Sequence, residues 1–222
     1  MSESLRFVSD ELQLMAMGFM AVIYILRIRW LLKFKASRDR QAPSENTDAS
    51  SLKGIVYSWA NIAMPWSMES TRRMTFFYLQ FVVFHLAVAA NITMSVVIPY
   101  APGLMKPMIV VRLLQILFAS AFLIGCYRMF RRLSNPSMRR ISTPDDYFSP
   151  GLLTVWCFVS FFAATNHADL GEGPLMVYFI MTAFFLVYVP FSKISHYLYY
   201  PFTRFYFGRT MGYRGVYPIK RV

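Results

Sequence analysis

Long runs of apolar residues alternate with polar segments along this chain. The apolar runs cover residues 12–26, 75–100, 109–126, 151–164 and 175–199. A helix needs about 20 mostly apolar residues to cross the hydrocarbon core of a bilayer. The first and fourth runs reach that length only with their flanking residues. The pattern therefore predicts an all-α membrane protein, one membrane domain over 1–222, with five transmembrane helices at 12–32, 75–100, 109–127, 151–170 and 175–199.

Two polar or mixed segments accompany these predicted helices. Residues 33–73 form a loop that ends in the stretch "LKGIVYSWANIAMPWSMEST" at 52–71. This stretch combines tryptophan with apolar residues, which is typical either of a segment lying against the membrane surface or of one packed on a partner subunit. The tail at 200–222 is aromatic and basic, and we expect it on the inner surface or against a soluble subunit.

Positive charge is distributed very unevenly between these segments. Twenty of the 23 Lys and Arg residues fall in 27–73, 127–150 and 191–222. Lys and Arg concentrate in the cytoplasmic loops of membrane proteins, so we predict an outside N-terminus and a cytoplasmic C-terminus. The net charge of +12 then reflects topology and contact with lipid headgroups rather than nucleic acid. Docking of an acidic cytoplasmic partner stays open.

Composition supports the membrane class and narrows the chemistry. Charged residues make up 15% of the chain, against about 25% in ordinary soluble domains. The cysteines, Cys126 and Cys157, lie apart in apolar runs and lack the clustered spacing of a zinc or iron–sulfur site.

Two histidines are the candidate functional residues. His85 lies inside the second predicted helix, and His196 lies near the inner end of the fifth. Ionisable residues within membrane helices are rare and usually functional. A neutral imidazole can bind iron, and two of them from facing helices can hold a haem between them. The alternative is that each histidine only forms a hydrogen bond within the helix packing.

The segment "PFSKISHYLYYP" at 190–201 resembles the end of the last helix in the cytochrome b (gamma) subunit of respiratory nitrate reductase. That family has five spans, an outside N-terminus and a cytoplasmic C-terminus. The resemblance implies one haem b on the cytoplasmic side, with His85 and His196 as ligands of the haem iron. The positions of the family's second ligand pair are Ser95 and Tyr178 here, which do not ligate haem in that way.

The resemblance also implies a cellular role. Simplified relatives of this family include the cytochrome b-like subunits of the high-molecular-weight cytochrome complex and of related membrane complexes of sulfate respirers. The resemblance implies a multi-pass protein of the prokaryotic cytoplasmic membrane. On one side it would exchange electrons with the quinone pool or a periplasmic multihaem cytochrome c. On the other side it would exchange them with a cytoplasmic, heterodisulfide-reductase-like iron–sulfur subunit. Menaquinone is a second candidate cofactor, and other membrane subunits are candidate partners. The alternative function is a haem-free structural anchor for cytoplasmic iron–sulfur subunits.

Other ionisable residues have competing interpretations. His167, in the predicted outer turn, is interpreted as a solvated loop residue, as a ligand of an outer haem or as a proton acceptor at a quinol site. Lys193 and Arg204 flank His196 and are interpreted as membrane-surface anchors or as partners of haem propionates.

Overall fold

A computed structural model describes residues 2–34, 41, 49–64, 69–166 and 171–219. Within these residues the regular secondary structure is entirely helical. The α-helices are α1 Glu3–Ser9, α2 Glu11–Leu32, α3 Ser51–Ala60, α4 Glu69–Arg73, α5 Thr75–Tyr100, α6 Met108–Ser134, α7 Pro136–Arg140, α8 Asp145–Ala163, α9 Gly173–Tyr188 and α10 His196–Tyr213.

Four helical stretches are long and apolar enough to cross a membrane. They are Glu3–Leu32, Thr75–Tyr100, Met108–Ser134 and Gly173–Phe191. Hydrocarbon offers no hydrogen-bond partners to backbone N–H and C=O groups, and an α-helix pairs these groups within itself. The all-helical fold and these four candidate spans indicate a multi-pass membrane protein. The predicted second helix, 75–100, coincides with α5.

The predicted fourth helix, 151–170, differs in place and character from α8. This helix begins at Asp145 and ends at Ala163, so it starts earlier than predicted, and residues 167–170 lie outside the described part of the chain. Its first turn carries Asp145 and Asp146. The acidic start shortens its apolar part, and α8 is not among the four candidate spans.

The predicted fifth helix, 175–199, is interrupted. Helix α9 ends at Tyr188, two 3₁₀ turns follow at Val189–Phe191 and Lys193–Ser195, and Ser192 between them is extended with φ −105° and ψ 170°. Pro190 lies at this break. Proline lacks a backbone N–H and its ring clashes with the carbonyl four residues earlier, which disrupts a continuing α-helix. His196 is therefore the first residue of α10 rather than part of α9.

The chain divides into two compact units. The first comprises Met1–Leu26 and Leu79–Ile194, and the second comprises Arg27–Tyr78 and Ser195–Val222. In the first unit α6 packs on α8 and α8 packs on α9, around fully buried Phe118, Tyr178 and Phe179. Helices α6 and α8 approach closely at Gly125, where a Cβ atom would lie 2.1 Å from Thr154 Oγ1.

The second unit is built on the contact between α3 and α10. Three glycines, Gly54, Gly208 and Gly212, bring the two backbones together. A Cβ at Gly54 would lie 2.3 Å from the carbonyl oxygen of Gly208, and a Cβ at Gly212 would lie 2.4 Å from that of Ser50. Small residues at four-residue spacing permit this close approach, which larger side chains prevent. We call these two helices the α3–α10 pair.

Candidate functional site

His85 lies in α5 with its ring held against the preceding turn. Its Nδ1 is 2.8 Å from the carbonyl oxygen of Phe81, and the His85 and Phe81 ring centroids are 4.0 Å apart. A carbonyl oxygen only accepts hydrogen bonds, so Nδ1 carries the proton in this contact. In the neutral ring the lone pair is then on Nε2. The imidazole is exposed on the surface of the chain, and the small residues Ala87, Ala89 and Ala90 follow in the same helix.

His196 lies at the start of α10. The side chain is exposed, and its ring centroid is 6.5 Å from that of Tyr197 in an edge-on arrangement. His85 belongs to the first compact unit and His196 to the second. Their joint ligation of one iron therefore stays a prediction. His167 lies outside the described residues.

The positions of the resembled family's second ligand pair have other contacts here. The Tyr178 hydroxyl is fully buried and donates a hydrogen bond of 2.6 Å to the carbonyl oxygen of Asn91. The Ser95 hydroxyl donates to the carbonyl oxygen of Ile92. The Tyr178 bond therefore joins α9 to α5, whereas the Ser95 bond lies within α5. Among the residues that the structure describes, no group of three or more His, Cys, Asp or Glu could hold a metal ion.

A polar junction surrounds Tyr178 at the centre of the first unit. The Asn91 amide nitrogen is 3.8 Å from the Cys157 sulfur, and the Trp156 ring is stacked on Tyr178 with centroids 6.2 Å apart. All of these side chains are buried. The junction joins α5, α8 and α9, and it was not found from the sequence because its residues are far apart along the chain.

Asp145, at the start of α8, forms hydrogen bonds with the end of α9 and with the interrupted segment that follows it. One carboxylate oxygen accepts hydrogen bonds from the hydroxyls of Ser149 and Tyr188, and the other accepts the backbone N–H of Lys193 at 2.8 Å. The Lys193 N–H belongs to a 3₁₀ turn rather than to an α-helix. Asp145 therefore accepts the hydrogen bond of a backbone N–H that a continuous α-helix would have satisfied within itself.

Asp146 holds the side chain of the same lysine. Its Oδ2 is 2.7 Å from Lys193 Nζ and also accepts hydrogen bonds from the backbone N–H and the hydroxyl of Thr143. The Thr143-x-x-Asp146 spacing is one that commonly marks a helix start. That spacing was a readable signal, but its pairing with Lys193 was not. We call Asp145, Asp146 and Lys193 the carboxylate clamp.

Hydrogen bonding holds the pKa of both clamp carboxyl groups below the ordinary value. For Asp146 the largest cause is the bond from the Lys193 ammonium group, followed by the bonds from Thr143. For Asp145 the largest single influence is burial, which raises the pKa, but the bonds from Ser149, Tyr188 and Lys193 together outweigh it.

We expect the clamp to make stability depend on pH in the acid range. The two carboxyl groups have folded-state pKa values below the unfolded value of about 3.9, so their stabilisation is present above that pH and is lost as pH falls through the folded values. The melting temperature of the purified chain, measured from pH 6 downward, should fall below about pH 4. An Asp146→Asn variant should start from a lower melting temperature and show a shallower acid decline. An unchanged acid decline in that variant would contradict this role.

Lys193 and Arg204 both have partners within their own units. Lys193 is engaged by the carboxylate clamp. Arg204 donates from Nε to the carbonyl oxygen of Ser58 at 3.0 Å, and its guanidinium carbon is 5.8 Å from the Tyr200 ring centroid and 5.7 Å from that of Phe207. These contacts give both cations a structural role beside the interpretations drawn from sequence.

Comparison with protein-family models, with curated proteins and with solved structures gives no match for this chain. The resemblance at 190–201 therefore rests on that segment and on the pattern of apolar runs.

Proposed function

We propose that this protein is a membrane cytochrome b-type subunit of a prokaryotic respiratory complex. It has five spans, the fourth in the apolar part of α8 from Gly151 onward, an outside N-terminus and a cytoplasmic C-terminus. One haem b is held by His85 and His196. Electrons pass between the quinone pool or a periplasmic cytochrome and a cytoplasmic iron–sulfur subunit.

The hydrogen bond from His85 Nδ1 to Phe81 O, at 2.8 Å, is the observation that carries this proposal. Histidines that bind metals commonly donate their other ring N–H to a carbonyl or carboxylate, which fixes the tautomer and orients the ring. In this arrangement His85 offers Nε2 as an electron-pair donor from within a candidate membrane helix. A purely lipid-facing position has no need of an imidazole.

The residue types fit a haem with two imidazole ligands. When bound, the haem supplies a one-electron carrier. His85 would bind through Nε2 while the Phe81 carbonyl keeps its Nδ1 proton in place. His196 would supply the second imidazole from the exposed start of α10. Two protein ligands leave no open iron position, which suits electron transfer rather than oxygen chemistry.

A purified sample tests this proposal directly. We expect the reduced-minus-oxidised absorption spectrum of the full chain to show the bands of b-type haem, with about one haem per chain on extraction as the pyridine complex. Expression should be carried out with haem supplied in excess, so that a low content reflects the protein. Absence of haem bands in folded, monodisperse protein would reject the proposal.

A haem-free structural anchor is the second candidate function. The same contact of His85 with Phe81, including ring centroids 4.0 Å apart, would then be ordinary side-chain packing within α5. The anchor would hold cytoplasmic iron–sulfur subunits at the membrane, and the basic inner segments would contact them. The spectrum of the purified chain separates this function from the first.

A further inference from the structure

The α3–α10 pair places its small side chains inside and large apolar side chains outside. On α3, Gly54 and Ser58 are buried against α10. Leu52, Val56 and Trp59 are 71%, 57% and 46% exposed. Their spacing of four and three residues puts them on one face of the helix. We call these three residues the α3 stripe.

The charge of the pair has one sign. Residues 49–64 and 195–219 contain Lys53, Arg204, Arg209 and Arg214 but no Asp or Glu. Lys53 and Arg209 are exposed. An exposed apolar stripe beside cations without carboxylates is the composition of helices that lie in the interface of an anionic bilayer.

The pair is also attached to the end of a membrane helix. The second unit contains the last residues of α2 and the first residues of α5, both of which are candidate spans. Arg27 near the end of α2 donates a hydrogen bond of 2.8 Å to the Tyr199 hydroxyl in α10. This continuity with two candidate membrane helices favours a bilayer surface over an acidic protein as the partner of the unit.

We propose that the α3 stripe lies in the headgroup layer of an anionic phospholipid surface. Leu52, Val56 and Trp59 enter the boundary with the acyl chains, while Lys53 and Arg209 face lipid phosphates. Trp59 suits this depth because its indole N–H already donates to the carbonyl oxygen of Pro201 at 3.0 Å and its ring remains partly exposed. This inference does not depend on the haem proposal.

Site-directed spin labelling of the full chain tests the proposal. A label is attached at Val56→Cys in a Cys126→Ser background, because Cys126 is exposed whereas Cys157 is buried. The protein is reconstituted in nanodiscs of phosphatidylcholine with or without phosphatidylglycerol. Oxygen partitions into lipid, and a nickel chelate stays in water. We expect the Val56 label to be more accessible to oxygen than to nickel, with a contrast that rises when phosphatidylglycerol is present.

Two further variants sharpen the result. A label at Gln41→Cys, an exposed position, provides the water-accessible reference. Combining Lys53→Gln and Arg209→Gln with the Val56 label should remove the rise caused by phosphatidylglycerol. Equal nickel accessibility at Val56 and Gln41 would overturn the proposal, as would a contrast that phosphatidylglycerol leaves unchanged. Protection of the Val56 label from both reagents would indicate a protein contact and would also overturn it.

Discussion

Replacement of Gly208 by leucine is expected to separate α10 from α3. Even a Cβ atom at this position would lie 2.6 Å from the Gly54 carbonyl oxygen and 2.7 Å from the Ile55 Cα. Both neighbours are backbone atoms, so relief requires movement of a whole helix. Overpacking a close contact typically costs about 1–3 kcal/mol, and leucine adds further atoms at the same point.

Hydrogen exchange measured by mass spectrometry provides the measurement for Gly208→Leu. Amides of α3 and α10 should exchange roughly tenfold faster or more, because the packing that protects them is lost, while the amides of α6 and α8 keep their protection. Gly18→Leu is the matched control, since Gly18 lies in α2 with nothing within 4 Å of its Cβ position. Wild-type exchange of α3 and α10 in Gly208→Leu would show that the glycine contact does not hold the pair.

Replacement of His85 or of His196 by alanine is expected to remove the haem. Each variant takes away one of the two proposed iron ligands, and a single remaining imidazole binds haem far more weakly than two. The b-type bands of the reduced-minus-oxidised spectrum should fall to the background in both variants. Exchange protection of α5 should persist in His85→Ala, because helix packing does not depend on the imidazole, whose side chain is exposed.

Two controls separate ligation from a structural effect. His167→Ala should retain the full spectrum, in agreement with its interpretation as a loop residue. Addition of free imidazole to His85→Gly should restore part of the spectrum, because the ligand returns without the side chain. Full haem content in either alanine variant would remove that histidine from the ligand set.

The hydropathy pattern was enough to predict the class of this protein. Runs such as 75–100 exceed the length needed to span a bilayer, and α5 occupies the same residues as that run. Such a helix forms all of its backbone hydrogen bonds within itself, so a local pattern is sufficient to predict it. The ends of helices were less predictable. The run at 175–199 stays mostly apolar beyond Pro190, so the sequence pattern predicted one continuous helix, whereas α9 ends at Tyr188.

In the candidate site, too, some features could be predicted from the sequence and others needed the structure. His85 and His196 stood out because ionisable residues are rare in apolar runs. The hydrogen bond that determines which nitrogen of His85 carries the lone pair required the geometry of α5, although its partner, Phe81, is one helical turn away. The proposed ligation of one iron by the two histidines remains a prediction of the resemblance.

The amino-acid sequence by itself determined that this chain is helical and suited to a membrane, since both properties follow from long apolar runs within single segments. Only the tertiary structure decided which segments pack together. Lys193 and Asp146 are 47 residues apart, and Gly54 meets Gly208 across most of the chain's length. Neither partner carries a local signal for the other, because a salt bridge or a backbone contact depends on the path of the intervening chain. Close approach of helices and pairing of distant charges are properties of that path.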